Sequence, residues 1–260
     1  MIFIRVIFPN GVKKRLLIIG GAYEQIPAYK LAKKMGLNVV GTDVNPNAPA
    51  LKLADDKLIC STRNAKETLK SVLQFSKRKK IDGIMTIAND VPYTVSLVAK
   101  KLKLPGIPPS SAKYASNKIF MKKLFLKNHV PTPKFHILRS KKEFLEKSTT
   151  MKFPFILKPS DGRGSRGVLL IDESIDLSWA WKNSLSYSQN KKLLIEEFVP
   201  GDQMSVEGIF IKNIFHAISF SDRNYTNLIS TKPFIIEDGG VIPSKYKGKI
   251  LVQISKIIEK

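Results

Sequence analysis

The 260-residue chain has one cysteine, Cys60, and so closes no internal disulfide. That excludes the disulfide-stapled scaffolds and points to a reducing compartment, the cytoplasm. Its three histidines, His129, His136 and His216, are too few and too scattered for a His-rich metal site. No run approaches the roughly 18 apolar residues that a membrane helix needs, so no membrane partner is expected. The apolar opening MIFIRVIFP is short, with no basic stretch before it and no small-residue cleavage site after it. Acid is scarce as well: 21 Asp and Glu face 44 Lys and Arg, a net charge of +23. Such a balance raises the prospect of a polyanion partner. The lysines, however, are spread over every expected helix, and no aromatics are interleaved with them as a base-stacking surface requires. Nucleic acid is therefore not the expected partner.

What remains is an ordinary globular composition, 43% hydrophobic and 25% charged, in a chain long enough for one large or two medium domains. Residues 15 to 110 alternate strand and helix. RLLIIG ends in Gly20-Gly21, IPAYKLAKKMG is a helix ended by Gly36, and NVVGTD is a strand ending at Asp43. ETLKSVLQFSKRKK, IDGIMTIAND and VPYTVSLVAKKL continue as helix, strand and helix. Strands separated by helix-length segments predict a parallel, Rossmann-like sheet. Ligand sites in such sheets lie at the carboxyl ends of the strands, where Gly20, Gly21, Asp43, Asn89 and Asp90 fall. Turn glycines and capping polar groups account for the same residues equally well.

LPGIPPSS (104–111) breaks the pattern and sets the expected domain boundary, 1–110 against 111–260. Beyond it, AKYASNKIFMKKLFLKN reads as one helix, with Phe120, Met121, Leu124 and Phe125 on one face and Lys118 and Lys122 as surface neighbours. HVPTPKFHIL is extended, and a helix is expected from about Ser174 to Gln189. KKLLIEEFVPG, QMSVEGIFIK and NIFHAISFS are strand-like, so the second half is expected to combine antiparallel sheet with helices.

Within it, FPFILKPSDGRGSRGVLLID carries Gly162, Gly164 and Gly167 in a G-x-G-x-x-G arrangement. A dinucleotide turn needs a helix after such a loop. Here Val168 to Ile171 read as a second strand, so the loop is a flap between strands. Glycines let a backbone approach phosphate oxygens closely. Arg163 and Arg166 add charge to the loop, Ser165 adds a hydroxyl, and Lys158 ends the strand leading in. Further on, Glu196-Glu197 and Phe198-Val199 close an apolar strand. A strand edge beside apolar walls suits an adenine ring, and Asp202 or Gln203 could hold ribose hydroxyls. Solvated loop residues and an edge strand are the plain alternative for each motif taken alone. There is no G-x-x-x-x-G-K-[ST], H-R-D or D-F-G, which excludes P-loop and protein-kinase sites.

In this order the motifs resemble the ATP-grasp superfamily, nearest to carbamoyl-phosphate synthase, biotin carboxylase and the purine-pathway carboxylate ligases. The resemblance covers nearly the whole chain. It implies a Rossmann-like pre-ATP-grasp domain followed by an α+β ATP-grasp domain with a lid over about 131–195. By the same resemblance Lys118 and Lys158 are the phosphate-contacting lysines, residues 162–167 the lid loop, Glu196 to Val199 the adenine hinge, and Gln203 a replacement for the ribose-binding Glu. Asn117 stands where an Asp is common. The implied cofactors are ATP and Mg2+, and the implied reaction joins a carboxylate to an amine or other nucleophile through an acyl phosphate. A small-molecule carboxylate is then the partner, with Gly20, Gly21, Asp43, Asp90, His216 and Arg223 as the residues facing it, and a homodimer is allowed. The family's E-x-N metal motif is absent, and Glu259 is the one acid after Gly240. The C-terminal lobe is therefore expected to be incomplete, with the metal ligands beyond the chain. No nucleophile or general base stands out. Two other readings stay open: a non-catalytic nucleotide-binding module, and a nicotinamide-dependent oxidoreductase using Gly20, Gly21 and Asp43.

Overall fold

Leu16 to Ile19 are consecutive apolar residues, the pattern of a parallel strand covered on both faces, and they form β1 (Arg15–Ile19). Leu17 and Ile19 pack with Val40, Val72, Phe75 and Val98, whereas Ile18 packs with Ala28, Tyr29, Ala32 and Val39. The sheet is thus sandwiched between two apolar layers. The structure, a computed structural model, describes residues 12–260, and the apolar opening of the chain lies outside the described residues. The chain divides into two units, one through Ser116 and the other from Asn117 onward.

In the first unit β1 is followed by α1 (Ile26–Lys34), β2 (Asn38–Asp43), β3 (Asp56–Ile59), α2 (Ala65–Ser76), β4 (Gly83–Met85), α3 (Pro92–Lys101) and α4 (Pro109–Ser116). Pro27 opens α1, and Gly36 just past its end takes a φ of +80° that an L side chain rarely adopts. The strand order is β3-β2-β1-β4, every pair parallel. This is the expected α/β alternation with two differences. The strand expected over 81–90 keeps only three residues in the ladder, because the chain turns away at Ala88 with a φ of 46°. The edge strand β3 was not legible, since its four residues, DKLI, carry too little pattern.

Gly41 in β2 shows how tightly this layer is filled. A Cβ built on it would lie 2.5 Å from Leu51 Cδ2 and 2.6 Å from Tyr29 Oη. Tyr29 is fully buried and donates its hydroxyl to Gly20 O at 2.8 Å. Gly41→Ala must therefore displace the ring and that bond together, and is expected to destabilise the protein by about 1–3 kcal/mol, as overpacking does. Thermal unfolding monitored by circular dichroism checks this, and an unchanged melting temperature would show that the layer has slack.

The second unit begins with α5 (Lys118–Lys127), followed by β5 (Phe135–Leu138), α6 (Lys141–Ser148), β6 (Phe155–Pro159), β7 (Leu169–Ile171), α7 (Leu177–Ser186), β8 (Leu193–Glu197), β9 (Gln203–Ile211), β10 (Ile214–Asn224), β11 (Gly239–Val241) and α8 (Lys249–Ile258). The single helix expected over 112–128 is two helices. Asn117 leaves the helical conformation, and its side-chain oxygen accepts from Ile119 N at 2.9 Å and Phe120 N at 3.3 Å, capping α5. The inward face of α5 also differs from a simple apolar stripe: Ile119 and Lys122 are buried, while Phe120 and Leu124 are exposed. The expected helix over 174–189 is trimmed to α7, which Asp176 caps through Ser178 N.

Two antiparallel sheets follow, β5-β8-β6-β7 and β11-β10-β9. The first carries the core of the unit on one face, with Phe155, Leu157, Leu193 and Ile195 packed against Phe144, Ala180 and Trp181. Phe144 stacks on Trp181 at 5.8 Å between centroids and meets Phe155 edge-on at 6.5 Å. The loop after β10 is pinned to β7 and α7: Leu170 N donates to Pro233 O at 2.8 Å, and Trp179 of α7 meets Phe234 edge-on at 6.2 Å.

Candidate functional site

The pleat of β6 sends Phe155 and Leu157 into the core and Ile156 and Lys158 to the opposite face. In the antiparallel ladder Ile156 lies opposite Glu196 and Lys158 opposite Leu194. Lys158 and Glu196 are therefore diagonal neighbours on one face, and their side chains form an ion pair. This face borders a cavity of about 610 Å3. Its polar lining includes Lys158, Ser165, Glu197, Gln203 and Arg223, and its apolar walls include Ile156, Val168, Phe198, Val199, Leu228 and Ile235.

The flap forms as the sequence indicates, between β6 and β7. Gly164 and Gly167 take φ values of 58° and 72°, and Ser165 takes 55°. A Cβ on Gly167 would come within 2.9 Å of Pro159 and Tyr187, so this glycine is required by packing as well as by conformation. Of the loop residues only Ser165 and Val168 border the cavity. Gly162, Arg163, Gly164, Arg166 and Gly167 do not line it, and Gly164 and Arg166 are exposed.

Lys118 is joined to the root of the flap twice. Its backbone N donates to Ser160 O at 2.9 Å and its Nζ to Gly162 O at 2.5 Å. Burial, and then the positive charge of Lys158, hold its ammonium below the ordinary lysine range. The expected surface pairing of Lys118 with Lys122 is not found. Lys122 turns inward, 4% exposed, and its Nζ lies 2.7 Å from Glu196 Oε2. That approach is not aligned as a hydrogen bond, and Oε2 is held by charge alone. Lys122 Nζ donates instead to Thr132 Oγ1 at 3.1 Å and sits 4.9 Å from the centroid of the Phe135 ring.

At the far end of β8 the geometry corrects the edge-strand expectation. β8 lies between β5 and β6, so its own backbone is occupied on both sides. Glu197 N, for instance, donates to Lys134 O at 2.9 Å. Past the end of the ladder, Phe198 and Val199 border the cavity. Glu196 borders the cavity, but its carboxylate is paired with two lysines. Asp202 is taken as well, accepting from Tyr246 Oη at 2.6 Å and lying 2.5 Å from Lys245 Nζ. These two contacts hold its carboxyl below the usual range. Gln203, exposed on the cavity rim, is the polar lining residue next along the chain.

Arg223 also lines the cavity, opposite Gln203 in the β9–β10 ladder. Glu237 grips it in a bidentate pair along one guanidinium edge, Nε donating to Oε1 at 2.9 Å and Nη2 to Oε2, and the guanidinium lies 5.9 Å from the Tyr225 ring centroid. His216 is exposed on β10 opposite Ile209 and takes no part in the cavity. Sequence reasoning missed Tyr225, Thr226, Leu228, Ile235 and Glu237, which come from an irregular loop. The polar turn signal of NYTN was the one visible sign of them.

Gly20, Gly21, Asp43 and Asp90 belong to the first unit and are not part of this cavity. Asp43 accepts from Asn45 N in its own turn and from Gly21 N in the loop after β1, at 2.9 Å each, which ties the two strand ends together. The space beside the glycine pair is filled by protein: a Cβ on Gly20 would meet Asn89 Nδ2 at 2.9 Å, and one on Gly21 would meet Leu51 Cγ at 2.9 Å. Asp90 is exposed. Among the described residues no three His, Cys, Asp or Glu side chains gather as a metal site would need, and no helix is long and apolar enough to cross a membrane.

Residues 16–107 match the family described as PylC-like, N-terminal domain, and residues 115–260 match the ATP-grasp domain. The chain is 25% identical over 221 residues to a formate-dependent phosphoribosylglycinamide formyltransferase of Prochlorococcus marinus (strain MIT 9515), covering 79% of this chain and 55% of the relative. It thus spans about half the length of that relative. In fold it is similar to the N5-carboxyaminoimidazole synthetase of Staphylococcus aureus solved with ADP, with a TM-score of 0.76 at 18% identity, covering 96% of this chain and 64% of the other. It is likewise similar to an L-amino acid ligase of Bacillus licheniformis, with a TM-score of 0.73 at 21% identity and coverage of 95% and 59%.

Proposed function

Because the chain belongs to the ATP-grasp family, we propose that the cavity between the β6–β7 flap, the end of β8 and the β9–β10 ladder binds ATP. The parent activity is the ATP-dependent ligation of a carboxylate to an amine or other nucleophile. One observation carries the reading. Two lysines far apart in sequence meet at the root of a glycine-rich flap: Lys158 borders the cavity with its apolar slot at Phe198 and Val199, and Lys118, which does not line the cavity, stands on Gly162 O within reach of the Lys158 charge.

Each part has a chemical task. The apolar walls and the backbone past Phe198 suit a purine, with Gln203 toward the ribose. Lys118, Lys158 and the Glu237-oriented Arg223 supply fixed positive charge where a phosphoryl group would transfer. In the parent reaction a carboxylate oxygen attacks the γ-phosphorus, ADP leaves, and a nucleophile then displaces phosphate from the acyl phosphate. ATP-grasp ligases in general work with ATP and Mg2+. The described residues offer no cluster that fits a metal, so the phosphate contacts proposed are the chain's own cations. We read the protein as cytoplasmic on its single cysteine, which is free and buried. The nicotinamide alternative is disfavoured because the chain belongs to the ATP-grasp family and the space beside Gly20 and Gly21 is filled by Asn89 and Leu51.

Thermal melting with ATP, with and without Mg2+, and with NADH tests this. At about 100 times its dissociation constant a ligand of the folded state adds about 2.7 kcal/mol of stability. ATP is expected to raise the melting temperature and NADH is not; the opposite result would end the reading. The lowered Lys118 pKa adds a signed expectation. On the alkaline side, below the ordinary lysine value of about 10.4, free Lys118 sheds its proton and ATP must restore it. Binding should therefore take up protons there, measurable by calorimetry in buffers of different ionisation enthalpy. The folding contribution has the other sign: a lysine with a depressed folded pKa adds stability as pH rises from that pKa toward its unfolded value.

A further inference from the structure

We propose that Lys122 is a positioning residue for Lys158, acting as the resident counterion of Glu196 so that Lys158 is free to engage phosphate. This rests on the ATP reading above. Lys122 does not line the cavity. It reaches the site only through Glu196, which it faces at 2.7 Å from the buried side while Lys158 holds the other oxygen from the cavity side.

The charges explain the arrangement. Glu196 is 6% exposed and cannot be left bare, since breaking a buried pair strands an uncompensated charge. With Lys158 as its one partner, the two would form a closed neutral pair, and Lys158 could turn to a phosphate only by abandoning a buried carboxylate. With Lys122 in place, one carboxylate is shared by two ammonium groups. Lys158 can leave while Glu196 stays compensated, and the cluster keeps a net positive charge toward the cavity. Thr132 and the face of Phe135 fix Lys122 on the side away from the ligand, so the two lysines do not exchange roles.

Isothermal titration with ATP compares the wild type, Lys122→Met and the double variant Lys122→Met/Glu196→Gln. Both replacements are close in size to the original side chains, and Glu196→Gln leaves the hinge backbone intact. Lys122→Met is expected to weaken ATP about tenfold or more, because Glu196 then captures Lys158. The double variant removes the trap and is expected to return to within about threefold of wild type. A Lys122→Met protein that binds ATP normally, or a double variant as weak as the single, overturns the proposal. Melting curves verify folding, and Lys122→Gln replaces Lys122→Met if the latter does not fold. A wild type that binds no ATP defeats the nucleotide reading instead. Inorganic tripolyphosphate, which needs only the cations, then decides: the same order among the three proteins supports the role of Lys122, and equal affinities or no binding overturn it.

Discussion

Lys158→Ala is expected to weaken ATP binding by about 100-fold while changing the melting temperature by only a few degrees. A charge-assisted contact contributes about 1.5–3 kcal/mol, and about 2.7 kcal/mol is two decades in affinity. The fold loses little because Glu196 keeps Lys122 as its partner at 2.7 Å, and Lys158 stands on the face of β6 that does not carry the core. The separation of the two effects is the point of the experiment. Calorimetric titration of ATP gives the affinity and a melting curve gives the stability. An unchanged affinity would remove Lys158 from the phosphate site, and with it the convergence of lysines on which the proposed function depends. A collapse of both quantities would assign Lys158 to the fold.

Phe155→Ala, on the same strand but its other face, should behave in the reverse way. Phe155 is fully buried, meets Phe144 edge-on at 6.5 Å and stacks on Phe153 at 5.1 Å. Truncating such a ring costs about 3–5 kcal/mol, the lost transfer energy plus the cavity left behind. For a chain of this size that is a fall in melting temperature of about 10 °C. Denaturant or thermal unfolding measures it. A loss below about 1 kcal/mol would mean that the aromatic cluster relaxes around the gap.

Local pattern carried much of this into the sequence. The unbroken apolar run of β1, the capping glycine after α1 and the two strands flanking 160–168 each depend on near neighbours, so RLLII, Gly36 and the flap were all legible. What depended on strand order or on a distant partner was not. Nothing local tells that β8 lies inside its sheet, because that is fixed by where β5 and β6 come to rest. Lys122 read as a solvated neighbour of Lys118, since lysine is seldom buried, and the carboxylate that draws it inward is far away in sequence, at Glu196. Asn117 inside a helical run gave only a faint sign of a break, because its capping works only once the chain has turned there. Glu237, the partner of Arg223, and the walls at Leu228 and Ile235 come from a loop with no period to read. Asp43 had the right position for a ribose acid, but it braces its own turn and the loop after β1, and the latter partner, Gly21, is distant in sequence.

The alternation along β6 has a consequence for how such a protein can change over time. Residues 155 and 157 answer to the core, and residues 156 and 158 answer to the cavity. Substitutions at the second pair can alter what is bound while drawing little on folding stability, and substitutions at the first can tune stability while leaving the ligand contacts in place. One short strand therefore lets the site diversify without carrying the scaffold with it.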